Sequence, residues 1–286
     1  MPEIQLPQGT VQYRDEGSGP PVVLIHGLLV NGNVWERVVP TLSARARCIV
    51  PDLPLGSHRH AMRDGADLSP LGLAELIADL IARLELDDVT LVGNDTGGAL
   101  CQLVVAHHPG RIGRLVLTNC DAFEHFPPPA FRFVIRALGR VPGAVAALEL
   151  FGRARPMRRA TMALAPLTVE PVPDELLKSW LAPLRDRGVR RDLVRVLRRI
   201  SPEHTLDAAR RLAEFDRPAL IVWGLRDPFF AFSDAERLAA TLPDARLERI
   251  ENARTFVQLD APEQLAERIA AFVAERSGRA APASVS

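Results

Sequence analysis

The most informative part of this chain is Gly93-Asn94-Asp95-Thr96-Gly97. A short apolar run, Val89-Thr90-Leu91-Val92, precedes it, and a helical pattern follows it over residues 99–106. A strand, a sharp turn and a helix, with small residues two places on either side of the central residue, form a nucleophile elbow. The small residues are needed because the turn is tight. The motif predicts that Asp95 is a nucleophile, and a carboxylate nucleophile forms an ester with its substrate.

Short apolar runs alternate with longer helical patterns along most of the chain. The apolar runs, which predict strands, lie at 22–25, 48–50, 89–92, 115–117, 220–223 and 246–250. The helical patterns lie at 69–86, 96–109, 233–241 and 262–276. Apolar strands that are covered by helices imply a mostly parallel, doubly wound α/β sheet that is buried on both faces. An edge hairpin is predicted at the N-terminus, around residues 10–19.

Residues from about 122 to 208 interrupt this alternation. The segment contains amphipathic pieces and almost no strand-like run, and the pieces are Phe131–Leu138, Val145–Phe151, Met157–Leu164, Glu175–Leu181 and Val189–Ile200. They predict a helical cap inserted after the sixth core strand, which would exclude water from a buried site. We therefore divide the chain into a first core part at 1–121, a cap at 122–208, a second core part at 209–276 and a disordered tail at 277–286.

The composition restricts the class of protein. The 35 basic residues balance the 35 acidic residues, so net charge gives no case for a nucleic acid partner. Three cysteines without a pairing pattern fit reduced thiols in the cytoplasm. The first residues lack the pattern of a signal peptide, and no apolar run approaches the roughly 20 residues that cross a bilayer. We expect a cytoplasmic monomer or homodimer that acts on a small-molecule substrate, without a nucleic acid or membrane partner.

The elbow, the inserted cap and a His26-Gly27 pair after the third strand resemble the α/β-hydrolase superfamily. The resemblance covers nearly the whole chain, from about Thr10 to Val273. The Asp at the elbow, followed by Gly97-Gly98, is similar to the haloalkane dehalogenase and epoxide hydrolase branch, as is the spacing from His26-Gly27 to Trp35. The resemblance implies the α/β-hydrolase fold and a hydrolase activity.

The resemblance also assigns roles to individual positions. Asp95 matches the nucleophile of the branch. The backbone N–H groups of Leu28 and Thr96 would form the oxyanion hole, which acts because its donors point to where negative charge develops. Asp227, in the turn after the seventh strand, matches the acid that orients the catalytic histidine.

The position of the catalytic histidine departs from the family pattern. After the last strand the family has approximately Ala-Gly-His-Phe, whereas this chain has Ala253-Arg254-Thr255-Phe256. Thr255 stands in the place of the base, and no histidine follows His204. An aspartyl ester can form without a base, because the carboxylate is already ionised. Its hydrolysis needs a proton acceptor for water, and the loss of a general base typically slows a reaction by about 10²–10⁴-fold.

Three interpretations follow from the missing histidine. In the first, the protein is a hydrolase in which His125 or His58 serves as the base, because both follow strands at the carboxyl edge of the sheet, where ligands bind. In the second, the protein is a non-hydrolytic lyase or isomerase with Asp95 as general base. In the third, it is a non-catalytic small-molecule binding protein that has kept the pocket of a hydrolase.

The family pattern also restricts the substrate. Haloalkane dehalogenases hold the leaving halide with a Trp after the nucleophile and commonly an Asn after His-Gly. This chain has Thr96 and Leu28 there, so simple dehalogenation is disfavoured. Epoxide hydrolases use cap tyrosines as proton donors, and the only tyrosine, Tyr13, lies in the N-terminal hairpin. The cap composition favours a small, largely apolar organic substrate. The histidines lack metal-ligand spacing and no cofactor motif occurs, so we expect no metal and no cofactor.

Overall fold

Eight strands form one sheet in the computed structural model, which describes residues 1–158 and 166–277. The strands are β1 Glu3–Leu6, β2 Gly9–Glu16, β3 Pro21–Ile25, β4 Arg47–Pro51, β5 Val89–Asp95, β6 Ile112–Cys120, β7 Ala219–Gly224 and β8 Ala245–Ile250. Their order across the sheet is β1-β2-β4-β3-β5-β6-β7-β8. The β1–β2 and β2–β4 pairs are antiparallel, and the other pairs are parallel. The mostly parallel sheet is as the sequence predicts. An edge hairpin is present, but it is formed by β1 and β2 with its turn at residues 7–8, and the predicted turn at residues 16–19 leads to β3, which does not pair with β2.

Helices cover both faces of the sheet and fill the insertion between β6 and β7. They are α1 Val39–Leu42, α2 Pro70–Arg83, α3 Thr96–His107, α4 Arg132–Arg140, α5 Ala144–Gly152, α6 Asp174–Leu181, α7 Arg187–Leu197, α8 Pro202–Leu212, α9 Phe232–Thr241, α10 Val257–Asp260 and α11 Pro262–Ser277. The cap after the sixth strand is confirmed. Its last helix, α8, packs against α3 of the core, so the core layer resumes before β7 begins.

Two predicted segments are only partly covered by the described residues. Most of the amphipathic piece Met157–Leu164 lies in the undescribed stretch 159–165. The predicted tail lies outside the description from residue 278 onward, and Ser277 is the last residue of α11. Within the described ranges, no helix combines the length and apolar character that crossing a membrane requires.

The strands alternate their side chains between two buried layers. On β3, Val23 and Ile25 belong to the core formed with α2 and α3, whereas Val22 and Leu24 belong to the core formed with α1 and α11. All four side chains have no exposed surface. Because successive residues of a strand point to opposite faces, a run of apolar residues is what a strand buried on both faces requires.

A buried polar network ties the carboxyl ends of the central strands to the chain after β8. The Asn94 side-chain amide donates to Thr118 Oγ1 at 2.9 Å and to the carbonyls of Asn119 and Thr255 at 3.1 and 2.7 Å. The Asn94 carbonyl oxygen accepts from Gln258 Nε2 at 2.7 Å. All five residues are fully buried. This network fixes the segment that carries Thr255 directly beside the elbow.

We expect Asn94→Ala to lower the free energy of unfolding by about 2–4 kcal/mol, because it leaves the Thr255 carbonyl and the Gln258 amide buried without this partner. Urea unfolding of the full chain measures the change. Asn252→Ala is the matched control, since Asn252 is exposed and, among the described residues, its side chain bonds only to the exposed Arg226. The control should change stability by less than about 0.5 kcal/mol. Equal effects of the two substitutions would contradict the structural role of the network.

Candidate active site

Asp95 occupies a strained turn between β5 and α3. Its backbone has φ 55° and ψ −134°, which is unusual for a residue with a side chain. Two glycines make the turn possible by their size: a Cβ on Gly93 would lie 2.7 Å from Cys101 Sγ, and a Cβ on Gly98 would overlap Cys120. The spacing of glycines in the elbow is therefore set by close packing of β5, α3 and β6, and the strain holds the carboxylate at the carboxyl edge of the sheet.

Two backbone amides face this carboxylate. The N–H of Leu28 donates to Asp95 Oδ2 at 3.1 Å, and the N–H of Thr96 lies near enough to favour the ionised carboxylate. Gly27 stands flush against it, since a Cβ at that position would overlap the Asp95 side chain. The structure thus brings together the three residues that the sequence places at the nucleophile and the oxyanion hole. Such amides can stabilise an anionic oxygen on the carbon of an Asp95 ester.

His26 shapes the loop that carries these groups. Its Nε2 accepts from the Leu53 N–H at 2.8 Å, which leaves the proton on Nδ1 to be donated to the Gly27 carbonyl at 2.8 Å. Burial lowers the pKa of His26 to about 4, so the ring is neutral at physiological pH. The imidazole is therefore a structural link between two loops.

An apolar cavity of about 230 Å³ lies between the elbow and the cap. We call it the cap cavity. Its polar floor is formed by Asp95, Thr96 and Asp121, and its walls include apolar side chains of the cap and the loops, among them Phe131, Ile135, Leu148, Leu177, Trp180 and Phe256. The indole N–H of Trp180 is buried and has no acceptor among the described residues. The cavity suits a small apolar molecule whose reactive carbon lies over the Asp95 carboxylate.

Two carboxyl groups share the floor of the cap cavity. Burial raises the pKa of Asp95 to about 7, the two backbone N–H groups oppose this rise, and the charge of Asp227 adds to it. Burial also raises the pKa of Asp121 well above its usual range, and the Asp95 charge raises it further. Asp121 Oδ2 bonds Thr96 Oγ1 at 3.1 Å, while Asp121 Oδ1 has no partner among the described residues. The amides stabilise the anion at Asp95, and burial together with the Asp95 charge favours the protonated form of Asp121.

Asp227 is held by its own turn and by Asn119. Asp227 Oδ1 accepts from the backbone N–H groups of Phe229-Phe230 at 2.8 and 3.2 Å, and Oδ2 accepts from Asn119 Nδ2 at 2.8 Å. Burial raises the pKa of Asp227, and these donors oppose the rise. The Thr255 hydroxyl lies near enough to favour the ionised carboxylate, although it makes no hydrogen bond of regular geometry. Thr255, which the sequence analysis predicts at the histidine position of the family, is fully buried.

The two histidines predicted as substitute bases pair with other carboxylates. His125 Nδ1 lies 2.6 Å from Asp234 Oδ2 on α9, and the buried His58 Nε2 lies 3.4 Å from Asp192 Oδ2 on α7. Neither imidazole lines the cap cavity, and no hydrogen bond or ion pair in the described part of the chain joins either of them to Asp95. The structure therefore does not assemble His125 or His58 with the nucleophile, because each is anchored elsewhere.

The sequence analysis missed Asp121 and Asn119 as parts of the site. Both lie at the carboxyl end of β6, where Asn119 bridges to β7 by donating to the Gly224 carbonyl at 3.0 Å and accepting its N–H at 2.7 Å. The available signal was their position directly after a continuous apolar run, the same reasoning that selected His125. The described residues contain no group of three or more His, Cys, Asp or Glu side chains that could hold a metal ion.

Comparisons with known proteins agree with this geometry. A family model for the α/β-hydrolase fold matches residues 20–262. A haloalkane dehalogenase of Mycobacterium marinum is 31% identical over 278 residues, which cover 92% of this chain and 88% of that protein. Among solved structures, an α/β-hydrolase fold protein from Burkholderia ambifaria has a TM-score of 0.78 and 26% identity, with coverage of 96% of this chain and 97% of that one.

A crystal structure of an ancestral haloalkane dehalogenase has a TM-score of 0.77 at 24% identity and covers 96% of this chain and 99% of its own, which supports the fold. The extent of the family match, together with the elbow, the facing amides and the cap, shows that this chain belongs to the α/β-hydrolase family and has haloalkane dehalogenases among its relatives.

Proposed function

We propose that this protein is a hydrolase that opens a carbon–heteroatom bond of a small apolar molecule by nucleophilic attack of Asp95. The observation that carries the proposal is the Asp95 carboxylate, held at positive φ on the floor of the cap cavity and facing the Leu28 N–H. The relatives that bear the name haloalkane dehalogenase support the same class of reaction. The lyase, isomerase and binding-protein alternatives have no comparable support.

The first step is displacement at a saturated carbon. The Asp95 carboxylate attacks that carbon, the leaving group departs with the bonding electrons, and an alkyl ester of Asp95 forms. The apolar walls position the substrate and exclude bulk water, which strengthens the electrostatic interactions on the floor of the cavity.

The second step is hydrolysis of the ester. Water attacks Cγ of Asp95, and the resulting oxyanion is stabilised by the N–H groups of Leu28 and Thr96. Collapse of the tetrahedral intermediate releases the alcohol and restores the carboxylate. This step needs a proton acceptor. The roles of Asp227 as acid and of His125 or His58 as base remain predictions from the sequence. Both histidines pair with other carboxylates, which does not favour either of them as the base.

The destination of the water oxygen in the second step gives a direct test. In a single turnover in H₂¹⁸O with an alkyl bromide or a 1,2-epoxide, the label should enter the carboxylate of Asp95, because water attacks Cγ rather than the alkyl carbon. Digestion and mass spectrometry of the peptide that contains Asp95 measure the label. Label found only in the released alcohol or diol would exclude the ester mechanism.

Asp95→Asn should abolish ester formation, lowering its rate by at least about 10³-fold, since a carboxamide is a poor nucleophile. Rapid-quench intact-mass measurements follow the ester, and peptide mass checks that the introduced asparagine has not deamidated. Asp52→Asn is the matched control. Asp52 is also half-buried, its pKa is raised by burial, and it accepts the Gly32 N–H at 2.8 Å outside the cap cavity. Ester formation in Asp95→Asn at the control rate would assign the nucleophile to another residue.

The raised pKa of Asp95 predicts the pH dependence of ester formation. Only the ionised carboxylate attacks, and with a pKa of about 7 its ionised fraction falls with decreasing pH. The rate with an alkyl bromide should therefore fall roughly 100-fold between pH 9 and pH 5. An ordinary Asp, with a pKa of about 3.9, would show almost no change over this range. A flat profile would show that Asp95 is fully ionised throughout and would contradict the desolvated environment described above.

A further inference from the structure

Asp121 is the one carboxyl group on the floor of the cap cavity that the reaction above leaves without a role. Asp121 is 1% exposed and lines the cap cavity. Asp121 Oδ2 bonds the Thr96 hydroxyl at 3.1 Å, and Asp121 Oδ1 has no partner among the described residues. An unsatisfied carboxylate oxygen in such a place is costly, whereas a protonated carboxyl group is tolerated.

The position of Thr96 connects this carboxyl group to the nucleophile. Thr96 has its N–H on the Asp95 carboxylate and its hydroxyl on Asp121, and both Thr96 and Asp121 line the cap cavity. A hydroxyl group can accept a proton from one side while it donates one to the other. The pair therefore forms a path by which a proton can pass between Asp121 and a molecule bound above Asp95.

We propose that Asp121, acting through the Thr96 hydroxyl, carries the proton of the reaction in place of the missing histidine, and that the substrate's leaving atom is an oxygen that requires this proton. The inference rests on the proposed function, since it assumes the Asp95 ester. It assigns a role to a residue that sequence reasoning did not select and narrows the class of substrate to strained or activated C–O electrophiles.

In the first step, Asp121 is the acid. The Asp95 carboxylate forms a C–O bond to the substrate carbon as the bond from that carbon to the leaving oxygen breaks. The leaving oxygen takes the proton of the Thr96 hydroxyl, and Thr96 takes the proton of Asp121. The step ends with a neutral Asp95 ester, an ionised Asp121 and a protonated leaving group.

In the second step, Asp121 is the base. Ester formation has removed the negative charge of Asp95, which is one of the two causes that raise the pKa of Asp121. Asp121 can therefore remain ionised until water attacks Cγ of the ester and passes a proton through Thr96 to Asp121. Collapse of the tetrahedral intermediate gives the alcohol its proton from the hydroxyl that the water supplied. Asp95 is again ionised and Asp121 is again protonated, so the cycle closes without a net gain or loss of protons at the two residues.

This cycle discriminates between leaving groups. A halide leaves without a proton, so Asp121 would stay protonated after the first step and would have to lose its proton elsewhere before it could act as base. An oxygen that leaves as an alkoxide removes the proton at once. The only tyrosine of the chain is Tyr13, which lies on β2 and not in the cap. Asp121 therefore remains as the buried proton donor on the floor of the cavity.

The test compares the full-length wild-type protein with Asp121→Asn and Thr96→Val, using 1,2-epoxybutane and 1-bromobutane as probes. Rapid-quench intact mass gives the rates of ester formation and of ester hydrolysis separately. With the epoxide, both variants should form the ester about 10²–10⁴-fold more slowly than wild type. With the bromide, both should form the ester at near the wild-type rate, because a halide leaves without a proton, and this ester should persist in the wild type as well, where Asp121 is still protonated. Hydrolysis of the epoxide-derived ester should be slowed in both variants by about 10²–10⁴-fold.

The pH profile separates proton transfer from a structural effect. Hydrolysis of the wild-type ester should depend on one ionisation, and this dependence should be lost in Asp121→Asn, which a mere loss of packing would not cause. Asp52→Asn is the matched control and should keep the wild-type rates and profile. Thr96→Val keeps the backbone N–H on Asp95, so it tests the path even where Asp121→Asn folds poorly.

Two outcomes overturn the proposal and can be told apart. Formation or hydrolysis of the epoxide-derived ester at the wild-type rate in either variant refutes the role of Asp121 and Thr96 but leaves the Asp95 ester intact. The absence of any ester or product in the wild-type protein with both probes refutes the proposed function itself, and this inference with it.

Discussion

The desolvation of the Asp95 carboxylate is the constraint on which the rest of this site depends. The elbow needs positive φ at Asp95, so the neighbouring residues must be small. The loop that faces the elbow brings Gly27 into direct contact with the Asp95 side chain. That contact removes water from the carboxylate and leaves two backbone amides as its polar partners. The close packing around the Asp95 carboxyl group therefore explains most of the motif. The same packing excludes water from the carboxylate, and the chemistry of the site follows from this desolvation.

Thr255, which the resemblance places at the histidine position of the family, lies in a framework that other residues hold in place. Thr255 is fully buried, and its carbonyl is one of the acceptors of Asn94. The backbone there is fixed by a network that does not involve the side chain at this position. Asp227 is likewise satisfied by Asn119 and by its own turn. The framework around the histidine position therefore holds without an imidazole, which explains why the family pattern on either side of Thr255 is still recognisable.

The architecture was largely predictable from the sequence, because it follows from local signals. Apolar runs bounded by turns give the strands, and the glycines of the elbow give the position of Asp95. The chemistry around Asp95 was only partly predictable. Leu28 and Thr96 could be placed because they act through backbone N–H groups that the motif itself positions. His125 and His58 were selected because they follow strands at the correct edge, yet strand position does not reveal that Asp234 and Asp192 bind them. Pairings between residues more than 100 positions apart depend on helix packing in the cap and core, which periodicity does not encode.

Asp121 is another residue whose place in the site the sequence does not reveal. It lies between Cys120 and Ala122 with no motif around it, and only the fold shows that it lies close to Asp95. A histidine in the family position would bring a positive charge to this corner during the reaction. Without it, two buried carboxyl groups and the nearby Asp227 face one another with no cation among the groups that set the pKa of Asp95 or Asp121. Such a cluster is stable only when one of its members holds a proton. The exchange of histidine for Thr255 that the resemblance implies would therefore do more than remove a base, because the same loss of positive charge favours a protonated Asp121 beside Asp95.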